Sequence, residues 1–151
     1  MNKITTLLIL LGFGFTSKAQ LIATVQLKKP VEGICNQNEV YSLYNGFEGQ
    51  IRPICSLSKE EMKIILNDKI QFLKENPKFK SKGMAGVFIN CEGVVVEWHI
   101  SNKTKSEILD KQILEVFKTF DEWTVGTLYD KPVDASELFS YSIKNGVLTI
   151  D

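Results

Sequence analysis

The spacing of hydrophobic and polar positions changes period several times along the 151 residues. From Leu21 to Leu27, apolar residues recur at every second position, as in a strand with one buried face. Pro30 and Gly33 end that run. Glu39 to Tyr44 reads as a second short strand and Asn45-Gly46 as a turn. Gln50 to Cys55 reads as an edge strand or a loop, because Pro53 has no N–H for a ladder. The period lengthens at Ser58, which with Glu61 has the form of a capping box. Met62, Ile65, Leu66, Ile70 and Leu73 then form one apolar stripe on a helix of roughly four or five turns, stopped at Asn76-Pro77.

A hairpin follows. Ala85–Ile89 and Val94–Ile100 flank the turn Asn90-Cys91-Glu92-Gly93, where Gly93 supplies the positive φ. Strict alternation puts Val94, Val96, Trp98 and Ile100 on one face, and Val95, Glu97 and His99 on the other. Thr104-Lys105-Ser106-Glu107 suggests a second capping box, and Ile108, Leu109, Ile113, Val116, Phe117 and Phe120 repeat at helical spacing up to Trp123 and Gly126. Leu138–Ile143 reads as a strand, Asn145-Gly146 as a type I′ turn and Val147–Ile150 as a returning strand. Together these elements predict an α+β fold: a small antiparallel sheet with two helices packed on one face, preceded by an irregular extension.

Composition refines this picture at three points. Met1–Gln20 has a positive start, an apolar centre and Ser17-Lys18-Ala19 at its end, the pattern of a secretory signal cleaved after Ala19. The expected organisation is therefore a signal over 1–19, an N-terminal strand and loop extension over 20–57, and a domain over 58–151. The expected location is the periplasm. The remaining chain carries 16 basic and 18 acidic residues, both signs interspersed, which gives no footprint for nucleic acid or an anionic membrane surface. Export permits a disulfide. Of the three cysteines, Cys35 and Cys55 flank one Gly- and Asn-rich segment and are the favoured pair, with pairings through Cys91 as the alternatives.

The order helix, hairpin, helix, strand resembles that of the TonB C-terminal domain. Ile89-Asn90-Cys91-Glu92-Gly93 is similar to that family's Ile-Asp-x-Asp-Gly turn, and Leu109-Asp110 to the Leu-Asp that starts its second helix. Trp123-Thr124-Val125-Gly126 resembles its Trp-x-Pro-Gly, and Asp130-Lys131-Pro132-Val133 its Gly-Lys-Pro-Val; Val125 and Asp130 depart from the pattern. The likeness covers about Ser58 to Ile143. The family's proteins join this domain to a membrane anchor through a long proline-rich spacer, whereas this chain has four prolines in all. The resemblance implies a non-enzymatic module that binds proteins, such as an extended segment of an outer-membrane receptor or another envelope protein, by strand addition. The edge it implies is Leu138, Phe139, Ser140, Tyr141, Ser142 and Ile143. If Val147–Ile150 folds onto this strand, the edge is occupied and the partner needs another one. The rival expectation is an envelope assembly protein that dimerises or docks through the extension.

Catalytic chemistry has little to draw on. Glu97 and the single histidine, His99, share a strand face, and Cys91 is the sole candidate nucleophile for a thiol or hydrolytic enzyme. With no CxxC and one histidine, no metal-ligand spacing is present, and no cofactor or small-molecule substrate is indicated. Trp98 and Trp123 read as packing residues.

Overall fold

The computed structural model describes residues 21–151; the expected signal over 1–19 lies outside the described residues. The protein is α+β, with three helices and an eight-stranded curled sheet of mixed direction among the described residues. The strands are β1 (Ala23–Val25), β2 (Val40–Ser42), β3 (Gln50–Ile51), β4 (Ser81–Ile89), β5 (Val95–Asn102), β6 (Gly126–Leu128), β7 (Lys131–Lys144) and β8 (Val147–Ile150). The helices are α1 (Lys59–Lys69), α2 (Gln71–Glu75) and α3 (Glu107–Phe117).

Local chemistry accounts for most element ends. Ser58 and Glu61 close the capping box on α1 as expected. The apolar stripe beyond it is not one helix. Ile70 adopts an extended conformation (φ −82°, ψ 104°) and divides α1 from α2. The break leaves Phe72 N–H without an intrahelical partner, and Gln112 Oε1 of α3 accepts it at 2.9 Å. Ile70 and Leu73 are both buried as a result. At α3 the cap is Ser106, which accepts from Leu109 N–H, and not Thr104. Thr104 instead receives its fold from Asp110, whose Oδ1 accepts Thr104 N–H at 2.9 Å. In the hairpin turn, Gly93 has φ +82°, and Asn90 Oδ1 accepts from both Glu92 N–H and Val94 N–H. Asn145 and Gly146 both have positive φ, as a type I′ turn requires.

The sheet departs from the antiparallel expectation because β2 pairs with β7 in parallel (Val40 with Asp134, Tyr41 with Ala135). The strand order is β1-β2-β7-β4-β5, with β8 and the β3–β6 pair also joined to β7. Hence β7 is the central strand. β4 runs along it from Ser81↔Ile143 to Ile89↔Ala135. The expected alternation of β5 holds from Glu97 to Ile100 and fails before it. A register shift between Phe88 and Ile89 sets Val95 opposite Ile89 and Glu97 opposite Phe88, so Val96 is the extra residue of a β-bulge. Val95, Trp98 and Ile100 therefore face the helices, while Val96 packs on the other side.

Two apolar layers result. The larger one places Leu66, Ile70, Leu109, Ile113, Phe117 and Phe120 against Val87, Trp98, Phe139, Tyr141 and Leu148. Trp98 stacks on Phe117 with ring centroids 4.8 Å apart, which makes it a core residue. On the opposite face, Val31, Ile34, Val40 and Phe88 form a second cluster with Val25, Leu27 and Val96. Residues 21–57 thus supply three strands and most of this second cluster, which Phe88 and Val96 complete from the hairpin.

Candidate interaction surface

The six residues expected to form an exposed edge lie on β7, the most paired strand of the sheet. The correction follows from the returning strand. Tyr141, Ser142, Ile143 and Lys144 pair with Ile150, Thr149, Leu148 and Val147 of β8. Phe139, Tyr141 and Ile143 are buried in the core, Leu138 is 55% exposed, and Ser140 carbonyl accepts from Asp151 N–H at 2.9 Å. β8 is itself structural, since Leu148 is fully buried and its N–H and C=O are both bonded to the Asn67 side chain.

On the side of β7 away from β4, pairing is confined to its two ends. There β2 takes Asp134 and Ala135 and β8 takes Tyr141–Lys144, while β6 pairs with Lys131–Val133, before the pairing with β4 begins. Among the described residues no strand pairs with Ser136–Phe139 on that side. Four residues span about 13 Å of strand edge. Beside this gap runs a groove of about 460 Å³ lined by Arg52, Ile54, Cys55, Met62, Trp123 and Phe139. Arg52, the chain's one arginine, forms an ion pair with Glu137, which is buried on β7. Burial raises the Glu137 carboxyl above its ordinary range, and the Arg52 hydrogen bond and charge oppose that rise. Tyr44, Phe47, Ile51 and Ile54 are exposed on the neighbouring loop and β3.

The cysteine pairing is the second correction. Cys35 bonds to Cys91, with Cα atoms 6.1 Å apart, and Cys55 is the free thiol; Cys35 and Cys55 are not joined. Cys55 is held elsewhere by its bridge to Trp123 beyond β3. The turn and the N-terminal loop meet at Asp134, a buried carboxylate at the start of the central strand. Its Oδ1 accepts Cys35 N–H (3.0 Å) and Cys91 N–H (3.1 Å), and its Oδ2 accepts Asn36 N–H (2.7 Å). Asn90 Nδ2 donates to the Gly33 carbonyl at 3.0 Å, completing the junction. With both sulfurs bonded, Cys91 offers no thiolate in this form. Cys35, Cys91 and Asp134 bring three potential ligand atoms within 4.8 Å, but the disulfide consumes two of them.

Glu97 and His99 line a different hollow of about 520 Å³, between β5 and the segment Val25–Val31. They do not form a dyad. Glu97 lies 4.0 Å from Lys29 Nζ, while the His99 ring stacks on Phe88 at 5.1 Å across Gly86. A Cβ at Gly86 would lie 2.5 Å from His99 Nε2, so only glycine there lets the ring lie flat. Burial lowers the His99 pKa below 6.5; Glu97 opposes this shift and Lys29 adds to it.

Asp134, Asn90 and Arg52 carry the junctions of this surface, and none of them has a functional signal in the linear pattern. Asp134 resembles any polar residue of an exposed strand until β2 and the N-terminal loop are placed on it. Among the described residues no helix is long and apolar enough to cross a membrane, and the disulfide is consistent with an exported protein. Comparison with protein-family models, with curated proteins and with solved structures finds no match to this chain.

Proposed function

We propose that the protein is a non-enzymatic, exported interaction module, related in kind to the TonB C-terminal domain, that captures an extended segment of an outer-membrane receptor or another envelope protein. The element order over 58–143 supports the reading: the broken helix pair α1–α2, the β4–β5 hairpin, α3, then the short β6 and the long β7. The observation that carries it is the gap in the β7 ladder. Ser136–Phe139 pair with β4 on one side and with no strand of the described residues on the other, next to the exposed side chain of Leu138. Unpaired main-chain groups at a strand edge are what an added strand recognises, and the adjoining apolar groove provides for its side chains. Only about four residues of partner fit between β2 and β8, so this mode predicts a short contact and modest affinity.

The test is capture from an envelope extract with the exported protein as bait, run beside a Leu138→Lys variant. Leu138 is exposed, so the substitution changes stability by less than about 0.5 kcal/mol while blunting the edge. Recovery of a TonB-dependent receptor or an inner-membrane motor protein by the native bait, and its loss with the variant, is the expected result. Recovery of neither by a folded bait, or equal recovery by both baits, rejects the reading. Removing 145–151 is not a usable test, because it deletes β8 and the buried Leu148.

A further inference from the structure

The end of the sheet opposite the disulfide gathers positive charge from three separate segments. Lys80 precedes β4 and Lys82 is its second residue, Lys103 and Lys105 follow β5, and Lys144 ends β7. Together with Ser81, Thr104 and Ser142 they line a hollow of about 520 Å³. Antiparallel pairing makes this convergence, since the first residues of β4 meet both the last of β5 and the last of β7. Lys82 lies directly opposite Ser142, so Lys82 and Lys144 are diagonal neighbours on one face, about 7–8 Å apart. A hydrogen bond from Lys105 N–H to Ser81 Oγ (3.1 Å) ties the loop after β5 to β4, and Asp110 fixes the same loop through Thr104 N–H.

The charges are poorly balanced. Lys103 reaches Glu107 at 3.8 Å between two exposed side chains, whereas Lys80, Lys82, Lys105 and Lys144 form no ion pair among the described residues. Among the described residues no carboxylate lines the hollow. Asp110 is buried behind it. Five like charges around one concavity repel one another, and a chain with formal net charge zero has no general need to collect them.

We propose that this hollow docks the protein on the phosphate headgroups of an anionic phospholipid surface. Lysines are compact, mobile point charges that suit an array of phosphates, and the one arginine of the chain is elsewhere. Among the described residues the lining has hydroxyl donors and no aromatic ring, so it offers phosphate contacts and no platform for nucleobases. Exposed Val147 lies directly opposite Lys144 on the same face, an apolar contact at the rim that suits a lipid interface. This inference stands apart from the proposed partner surface and does not rest on it.

The experiment is co-sedimentation of the protein with vesicles of phosphatidylglycerol and phosphatidylcholine in equal parts, against phosphatidylcholine alone, at about 0.1 M salt, where screening acts beyond ~10 Å. The native protein partitions onto the anionic vesicles only. Lys82→Glu with Lys105→Glu lowers the partition on the order of 25-fold or more, from roughly fivefold per lysine. Lys118→Glu with Lys131→Glu alters net charge equally near the other end of the sheet and leaves binding close to native. No partition by the native protein, or an equal loss in both double variants, overturns the proposal. Displacement from the vesicles by millimolar glycerol phosphate also overturns it in favour of a small-phosphate pocket, as does tighter binding to a single-stranded oligonucleotide at the same salt.

Discussion

Breaking the Cys35–Cys91 bond should act mainly on the unfolded chain. The crosslink closes a separation of 56 residues, and loop-closure entropy for a loop of that size is about 4 kcal/mol at 25 °C. In the folded protein the same junction is held by three N–H bonds to Asp134, by the Asn90–Gly33 bond and by the Val31, Ile34, Val40 and Phe88 cluster. A Cys35→Ser, Cys91→Ser variant should therefore keep its native near-UV circular dichroism. It should lose about 4 kcal/mol in urea titrations, a factor of ~10³ in the folding constant, and about 15 °C in Tm. Because the uncrosslinked unfolded state is more expanded, the urea m-value should rise with the loss. Cys55→Ser should leave the m-value unchanged, and the unreduced native protein in denaturant should titrate as one free thiol. A loss below ~1 kcal/mol with an unchanged m-value would refute the unfolded-state account. So would hydrogen exchange that accelerates only over 21–45, which would place the effect in local opening of the native state.

Two further outcomes follow from the face that carries His99. Gly86→Ala should cost about 1–3 kcal/mol in urea unfolding and shift the His99 ring resonances, because a methyl group there meets His99 Nε2 at 2.5 Å and Leu138 Cδ2 at 3.1 Å. The folded-state pKa of His99 lies below the unfolded value of 6.5, so the stability due to its neutral form is present above pH 6.5 and is lost as pH falls from there through the folded pKa. Urea titrations across that window should show the decline, and His99→Gln should flatten it; a native profile no steeper than that of the variant counts against the burial argument.

Where a structural feature has a cause within a few residues, it was legible. The Ser58 capping box, the Gly93 turn and the Asn145-Gly146 turn appear as read, and so does the apolar face of α3 apart from Ile108, which is exposed, because hydrogen bonds within a turn or a helix period specify them. The α+β class follows from those elements. Misreadings fall where a distant segment decides. Ile70 leaves the helix although neither glycine nor proline is present, and Gln112 from another helix supplies the partner for the exposed N–H. Period-two alternation along β5 cannot reveal the bulge at Val96, since one extra residue against β4 exchanges the two faces.

The sequence by itself determined the local elements, the near balance of charge and the fact that three cysteines permit one intramolecular bridge. Only the tertiary structure decided which of them pair, since the hairpin turn and the N-terminal loop, 56 residues apart, meet on Asp134 of a strand that comes later still. It likewise decided that Leu138–Ile143 lies at the centre of the sheet and that five lysines from three segments share one hollow. The physical reason is the same in each case. Strand neighbours are chosen by register and by the burial of whole faces, and these are sums over residues far apart in the chain that no local pattern contains.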